Sequence, residues 1–110
     1  FAATFSGPVA EQFFREFHAN KLFLSATGLT LEAGFTDPSM LETQIKKAMI
    51  ASADQVIMLF DSHKFGVKSL TTVLRAGEIN VLVTDAGAPE DILQELRAKG
   101  VEILIVPDEA

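Results

Sequence analysis

Cysteine is absent from the 110 residues. That removes disulfides, thiolate nucleophiles and cysteine metal sites together, and it fits a reducing cytoplasm, where we expect the protein to work. No apolar run approaches the ~20 residues of a membrane-spanning helix, and no leader of basic, apolar and small residues is present. A membrane partner is therefore not expected. Basic residues are few: nine Lys and Arg stand against fifteen Asp and Glu, for a net charge of −6. They are scattered, whereas a phosphate-backbone binder concentrates Lys and Arg on one face, so this segment is not expected to touch nucleic acid itself. GxGxxG, Walker, GxSxG and HExxH sequences are missing, and no second histidine stands near His63. No cofactor or metal is expected.

Low-complexity tracts are also missing, and 48% of the residues are hydrophobic. The length suits one domain with a packed core rather than a disordered chain. The chain starts at Phe1 rather than Met, which we read as a fragment of a longer protein.

The most informative stretch is the apolar run Val56-Ile57-Met58-Leu59-Phe60 followed at once by Asp61-Ser62-His63-Lys64-Phe65-Gly66. Five consecutive apolar residues read as a strand buried on both faces, hence a parallel sheet covered by helices. Around it strands and helices alternate. Gly7-Pro8 opens a first helix with Ala10, Phe13, Phe14 and Phe17 on one face and His18 in its last turn. Leu22–Leu24 reads as a short strand followed by the bend Ser25–Gly28. Asp37-Pro38 begins a second helix, Asp as cap and Pro as first residue, with an apolar stripe of Leu41, Ile45, Ala48 and Met49. After the loop a short helical stretch carries Leu70, Val73 and Leu74. Then come a strand at Ile79–Val83, a helix from about Pro89 to Lys99 stopped by Gly100, and a last strand at Val101–Val106. This pattern predicts an α/β fold with a mainly parallel sheet flanked by helices.

In open parallel sheets ligands bind beyond the carboxyl ends of the strands. If the strands run one way, Ser25–Gly28, Asp61–Lys64 and Thr84–Gly87 emerge on the same edge and share a crevice. Two readings stay open at Lys64: a point charge for a phosphate, with Ser62 donating beside it, or a solvated lysine paired with Asp61. Asp61 could hold a sugar hydroxyl, orient Lys64, or cap the next turn. Glu42 and Lys46 read as an exposed i,i+4 pair, or else place Glu42 toward the crevice. Gly28 and Gly34 could permit positive φ or close approach of a ligand to the backbone. A phosphoacceptor receiver domain is rejected, because Ser25-Ala26 and Val106-Pro107 stand where its acidic pair and lysine belong.

In order, the segments FSGPVAEQFF, NKLFLSATGLTLEAGFTD, LETQIKKAMI, VIMLFDSHKFG and INVLVTD resemble the C-terminal effector-sensing domain of DeoR-family bacterial transcriptional regulators. The resemblance implies a phosphosugar-isomerase and CoA-transferase-like fold, present in part. It implies residues 1–110 as an effector-sensing domain, without the helix-turn-helix and the first part of the sensor domain. It implies a phosphorylated sugar as effector, operator DNA bound only through that separate domain, and a homo-oligomer. Residue by residue it implies Thr27 and Gly28 as a ligand loop, Glu42 and Lys46 as charged positions on the helix, and Asp61 and Lys64 as the acidic and basic positions of DxxKFG. Ribose-5-phosphate isomerases look similar in these segments, and Glu42 could then act as a base for aldose–ketose isomerisation. The isomerase loop after the first strand carries aspartates where this chain has Ser25-Ala26-Thr27, which favours a sensor over an enzyme.

Overall fold

A computed structural model of the chain describes residues 8, 9 and 19–107. Pro8 and Val9 are helical. The rest of the first expected helix, with Phe13, Phe14, Phe17 and His18, lies outside the described residues.

In chain order the described elements are β1 (Ala19–Leu24), β2 (Gly28–Thr30), β3 (Gly34–Asp37), α1 (Met40–Ala51), β4 (Ala53–Leu59), a 3-10 turn (Ser62–Lys64), β5 (Thr71–Leu74), a second 3-10 turn (Ala76–Glu78), β6 (Val81–Asp85), α2 (Glu90–Ala98) and β7 (Glu102–Val106). Strands β1, β4, β6 and β7 form a four-stranded sheet in that order, and every pair is parallel. The fold is α/β with this mainly parallel sheet flanked, among the described residues, by α1 and α2. A three-stranded antiparallel sheet, β2-β3-β5, packs beside it.

The strand order climbs in one direction, so right-handed crossovers place α1 and α2 on one face. Ile45 and Met49 of α1 and Leu93 and Leu96 of α2 join a single core with Leu24, Val56, Met58 and Leu82. Burying each such side chain contributes about 1.5–3 kcal/mol. The other face is different. By strand register Phe23 lies beside Ile57, and Leu59, Val83 and Leu104 form a row. Phe23, Leu59, Leu104 and Val106 are 55%, 47%, 49% and 50% exposed. The apolar run at Val56–Phe60 is thus a strand buried on one face only; apolar composition marks a face that can be covered without saying what covers it.

Four local expectations change. The stretch around Leu70–Leu74 is β5, not a helix: its i,i+3,i+4 pattern is too short to arbitrate, while Thr71-Thr72-Val73 is a β-branched run that pairs with β3. Helix α1 is capped by Ser39, whose hydroxyl accepts from the Glu42 N–H at 3.2 Å, and not by Asp37. Ser39 and Glu42 stand at the spacing of a capping box, a start signal that outweighs Asp37-Pro38 here. Leu41 is 58% exposed and leaves the apolar stripe, its place on the buried face taken by Thr43 and Lys46. The third strand also begins later than the Ile79–Val83 pattern suggests. Asn80 does the bridging before it, since its side-chain oxygen accepts from the Val56 N–H at 2.7 Å.

Candidate functional site

The chain leaves β1 through Ser25–Thr27, and a buried ion pair shapes that exit. Asp37 closes β3 with its side chain only 3% exposed, and Lys46, one turn into α1, has its side chain 11% exposed. Lys46 Nζ donates to Asp37 Oδ2 at 2.5 Å and to the Ser25 carbonyl at 2.6 Å. Asp37 Oδ1 accepts from the Thr27 N–H at 3.0 Å and from its hydroxyl at 3.2 Å. The Asp37 carbonyl accepts from the Thr71 hydroxyl at 3.1 Å. The carboxylate of Asp37 thus ties the β1–β2 loop to α1, and its backbone carbonyl adds β5. Lys46 is not half of an exposed pair with Glu42; its partner is Asp37. Gly28 follows in the same loop, packed so closely that a Cβ there would lie 2.2 Å from the Val67 carbonyl oxygen. Gly34, with φ +78, is the glycine of the pair that needs positive φ.

The exit from β4 is held by aromatic packing. Phe35, Phe60 and Phe65 form a chain of edge-to-face contacts, with centroids 5.3 and 5.1 Å apart. Phe65 also bridges to Leu29, and the Gly66 N–H donates to the Leu29 carbonyl at 2.8 Å. Between Phe60 and Phe65 the 3-10 turn presents its polar side chains. Asp61 sits at the cap position yet makes no side-chain capping bond. Lys64 Nζ stands 6.0 Å from the Phe60 ring centroid. Among the described residues neither Asp61 nor Lys64 has an ion pair, so the bland alternative in which they neutralise each other is not realised.

At the exit from β6, Asp85 bends back toward that turn. Its Oδ2 accepts from the Ser62 N–H at 2.8 Å and its Oδ1 from the Gly87 N–H at 3.0 Å. The Ser62 hydroxyl, then the Ser62 and Gly87 N–H groups, hold the Asp85 carboxyl below its ordinary value of 3.8, with a smaller contribution from His63.

These three exits meet in a cavity of about 410 Å3 at the carboxyl edge of the parallel sheet, lined among others by Ser25, Asp61, Lys64, Thr84 and Asp85. Of the residues expected at a site, Asp61 and Lys64 line it. Thr27 and Lys46 stand behind it, bound to Asp37 and shaping the Ser25 loop. Gly28 packs against protein backbone, and Glu42, in the first turn of α1, does not line the cavity. The i,i+4 relation places Glu42 on the same side of α1 as Lys46, one turn nearer the helix N-terminus. Asp85 and Gly87 were expected at the crevice only as part of the segment Thr84–Gly87, with no role of their own, and Asp37 was not expected there. The visible signal for Asp85 was its place at a strand end; for Asp37 it pointed to a helix cap instead. Among the described residues no three His, Cys, Asp or Glu side chains are grouped so as to hold a metal ion, and no helix is long and apolar enough to cross a membrane.

The chain is similar to several bacterial and archaeal transcription regulators. It is 33% identical over 104 residues to the uncharacterized HTH-type transcriptional regulator YulB of Bacillus subtilis (strain 168), covering 94% of this chain and 40% of that protein. It is 36% identical over 102 residues to the transcriptional repressor AccR of Agrobacterium fabrum, covering 89% and 40%. It is 31% identical over 98 residues to the HTH-type transcriptional regulator GlpR of Haloferax volcanii, covering 89% and 38%. The chain thus spans about 40% of the length of these relatives. Residues 2–86 match the model of the DeoR C terminal sensor domain, a stretch that includes every side chain named as lining the cavity, and the chain belongs to that family.

Proposed function

We propose that this chain is the effector-sensing domain of a transcriptional regulator, and that a phosphorylated sugar bound at the carboxyl edge of the sheet changes how a separate helix-turn-helix domain holds operator DNA. One observation carries the reading: Lys64 and Asp61 are opposite charges on one turn, both line the cavity, and neither is paired among the described residues. Two unpaired charges side by side suit a ligand that has both an anion and hydroxyls. Lys64 supplies a point charge to the phosphate, with its Nζ 6.0 Å from the Phe60 ring centroid. Asp61 accepts from sugar hydroxyls. Asp85 has both carboxylate oxygens engaged by N–H groups and does not compete for Lys64 in the same way.

The remaining expected residues act through shape. Thr27 and Lys46 hold Ser25 at the cavity rim and Gly28 lets the chain lie against Val67, while Glu42, outside the cavity lining, is given no ligand contact. Regulation follows if the ligand binds one conformation of the whole protein more tightly than another, since only differential affinity shifts an equilibrium. The protein so read works in the cytoplasm, as a homo-oligomer, without a cofactor and without turnover. Its relatives are regulators, which supports binding over isomerisation.

Thermal shifts of the full-length protein against pentose and hexose phosphates, with the matching unphosphorylated sugars as controls, test this. A shift specific to a phosphorylated sugar, lost in Lys64→Ala, is expected. Stabilisation by unphosphorylated sugars alone overturns the phosphate assignment, and isomerase turnover abolished by Glu42→Gln overturns the non-enzymatic reading.

A further inference from the structure

A 3-10 turn is normally capped by the residue that precedes it, and here that residue is Asp61. Asp61 makes no capping bond. The cap comes from another strand: Asp85, 23 residues away, takes the Ser62 N–H, which is the first orphan donor of the turn. Its second oxygen takes the Gly87 N–H, so the carboxylate is clamped from both sides. Close packing completes the clamp. A Cβ on Gly87 would lie 2.8 Å from Ser62 Oγ and 3.2 Å from Asp85 Oδ1, so a side chain there would press on both members of the clamp. From Ser62 the turn continues through the Lys64 N–H to Asp61 carbonyl bond, 3.1 Å, and the Phe65 N–H to Ser62 carbonyl bond, 3.2 Å.

From this geometry we infer that Asp85 is the positioning residue of the cavity: by capping the Ser62–Lys64 turn in trans, it holds Lys64 at the cavity and releases the Asp61 carboxylate to face a ligand. The inference rests on the reading of the cavity as a sugar-phosphate site, but the clamp itself can be tested apart from it. The arrangement divides labour between two carboxylates that sequence alone leaves equivalent. If Asp85 is lost, the Ser62 N–H loses its acceptor, and Asp61, at the cap position of the turn, is free to bend back onto the turn's N–H groups. It then becomes the local cap, and both ligand-facing charges move together.

The test uses the full-length regulator with Asp85→Ala and Gly87→Ala. The second crowds Ser62 Oγ and Asp85 without removing charge. Amide hydrogen exchange is read first. Faster exchange at Ser62 and Gly87 in both variants, with Gly66 still protected by the Leu29 carbonyl, is expected. Unchanged protection at Ser62 overturns the clamp whether or not any ligand binds. Affinity for pentose and hexose phosphates is read second, in a cycle with Lys64→Ala. Asp85→Ala is expected to weaken binding on the order of tenfold, the scale of one charge-assisted hydrogen bond, and to add nothing once Lys64 is gone. Asp85→Asn, which keeps one acceptor, is expected to recover part of the loss. An equal loss with and without Lys64 shows a general destabilisation and overturns the positioning role. If the wild type binds no sugar phosphate while the exchange result holds, the ligand reading fails and the clamp stands.

Discussion

Replacing Asp37 by alanine should be among the most damaging single substitutions in the described chain. The loss leaves the Lys46 ammonium, whose side chain is 11% exposed, with the Ser25 carbonyl as its remaining partner. Removing one member of a buried pair strands the other charge away from water, which costs about 3–5 kcal/mol. A domain of this size has a total stability of about 5–15 kcal/mol, so the variant would approach unfolding at 25 °C. Other effects are smaller. The Thr27 N–H keeps its bond to the Thr36 carbonyl at 3.0 Å, and the exposed Thr27 hydroxyl can turn to water. The double substitution Asp37→Leu with Lys46→Met should recover most of the loss, because an apolar pair of similar volume needs no solvation. Urea unfolding of the wild type, both single variants and the double variant, at constant m, closes the cycle. If Asp37→Ala costs under about 1 kcal/mol, the range of exposed pairs, then the pair is solvated and the reasoning fails. If the double variant is as unstable as Asp37→Ala, the cost came from the lost loop contacts rather than from a stranded charge.

Two further outcomes follow from single sites. Gly28→Ala should destabilise by about 1–3 kcal/mol, because its Cβ would stand 2.2 Å from the Val67 carbonyl and backbone has to move to relieve it. Equal urea midpoints for variant and wild type would contradict that packing. The Asp85 carboxyl, held below 3.8 in the folded protein, contributes stability that is fully present above that value and is lost as pH falls through its folded value. Asp85→Asn should therefore flatten stability only on the acid side, below about pH 4, and a changed slope near neutrality would contradict the assignment to Asp85.

Much of the architecture was legible from residue pattern. Gly100 after Leu93 and Leu96 marked the end of α2, and it takes φ +93 there. The run through Val56 and Met58 marked a central strand, and three polar segments at strand ends do line one cavity. Local pattern failed where two starts competed, as at Asp37-Pro38 and Ser39. It failed again where three apolar residues fitted both a helix and a strand, as at Leu70, Val73 and Leu74.

By itself the sequence determined the alternation of strands and helices, the single-domain core, and which polar residues stand at strand ends, because periodicity and turn chemistry act over a few neighbours. Tertiary structure alone decided what those polar groups do. Asp37 found Lys46 nine residues away and Asp85 found Ser62 across 23. A carboxylate takes the donors that folding brings within about 3 Å, and no local pattern states which those are. The same holds for the sheet's second face. Its apolar residues are written in the sequence, but the one-directional strand order put α1 and α2 on the other side.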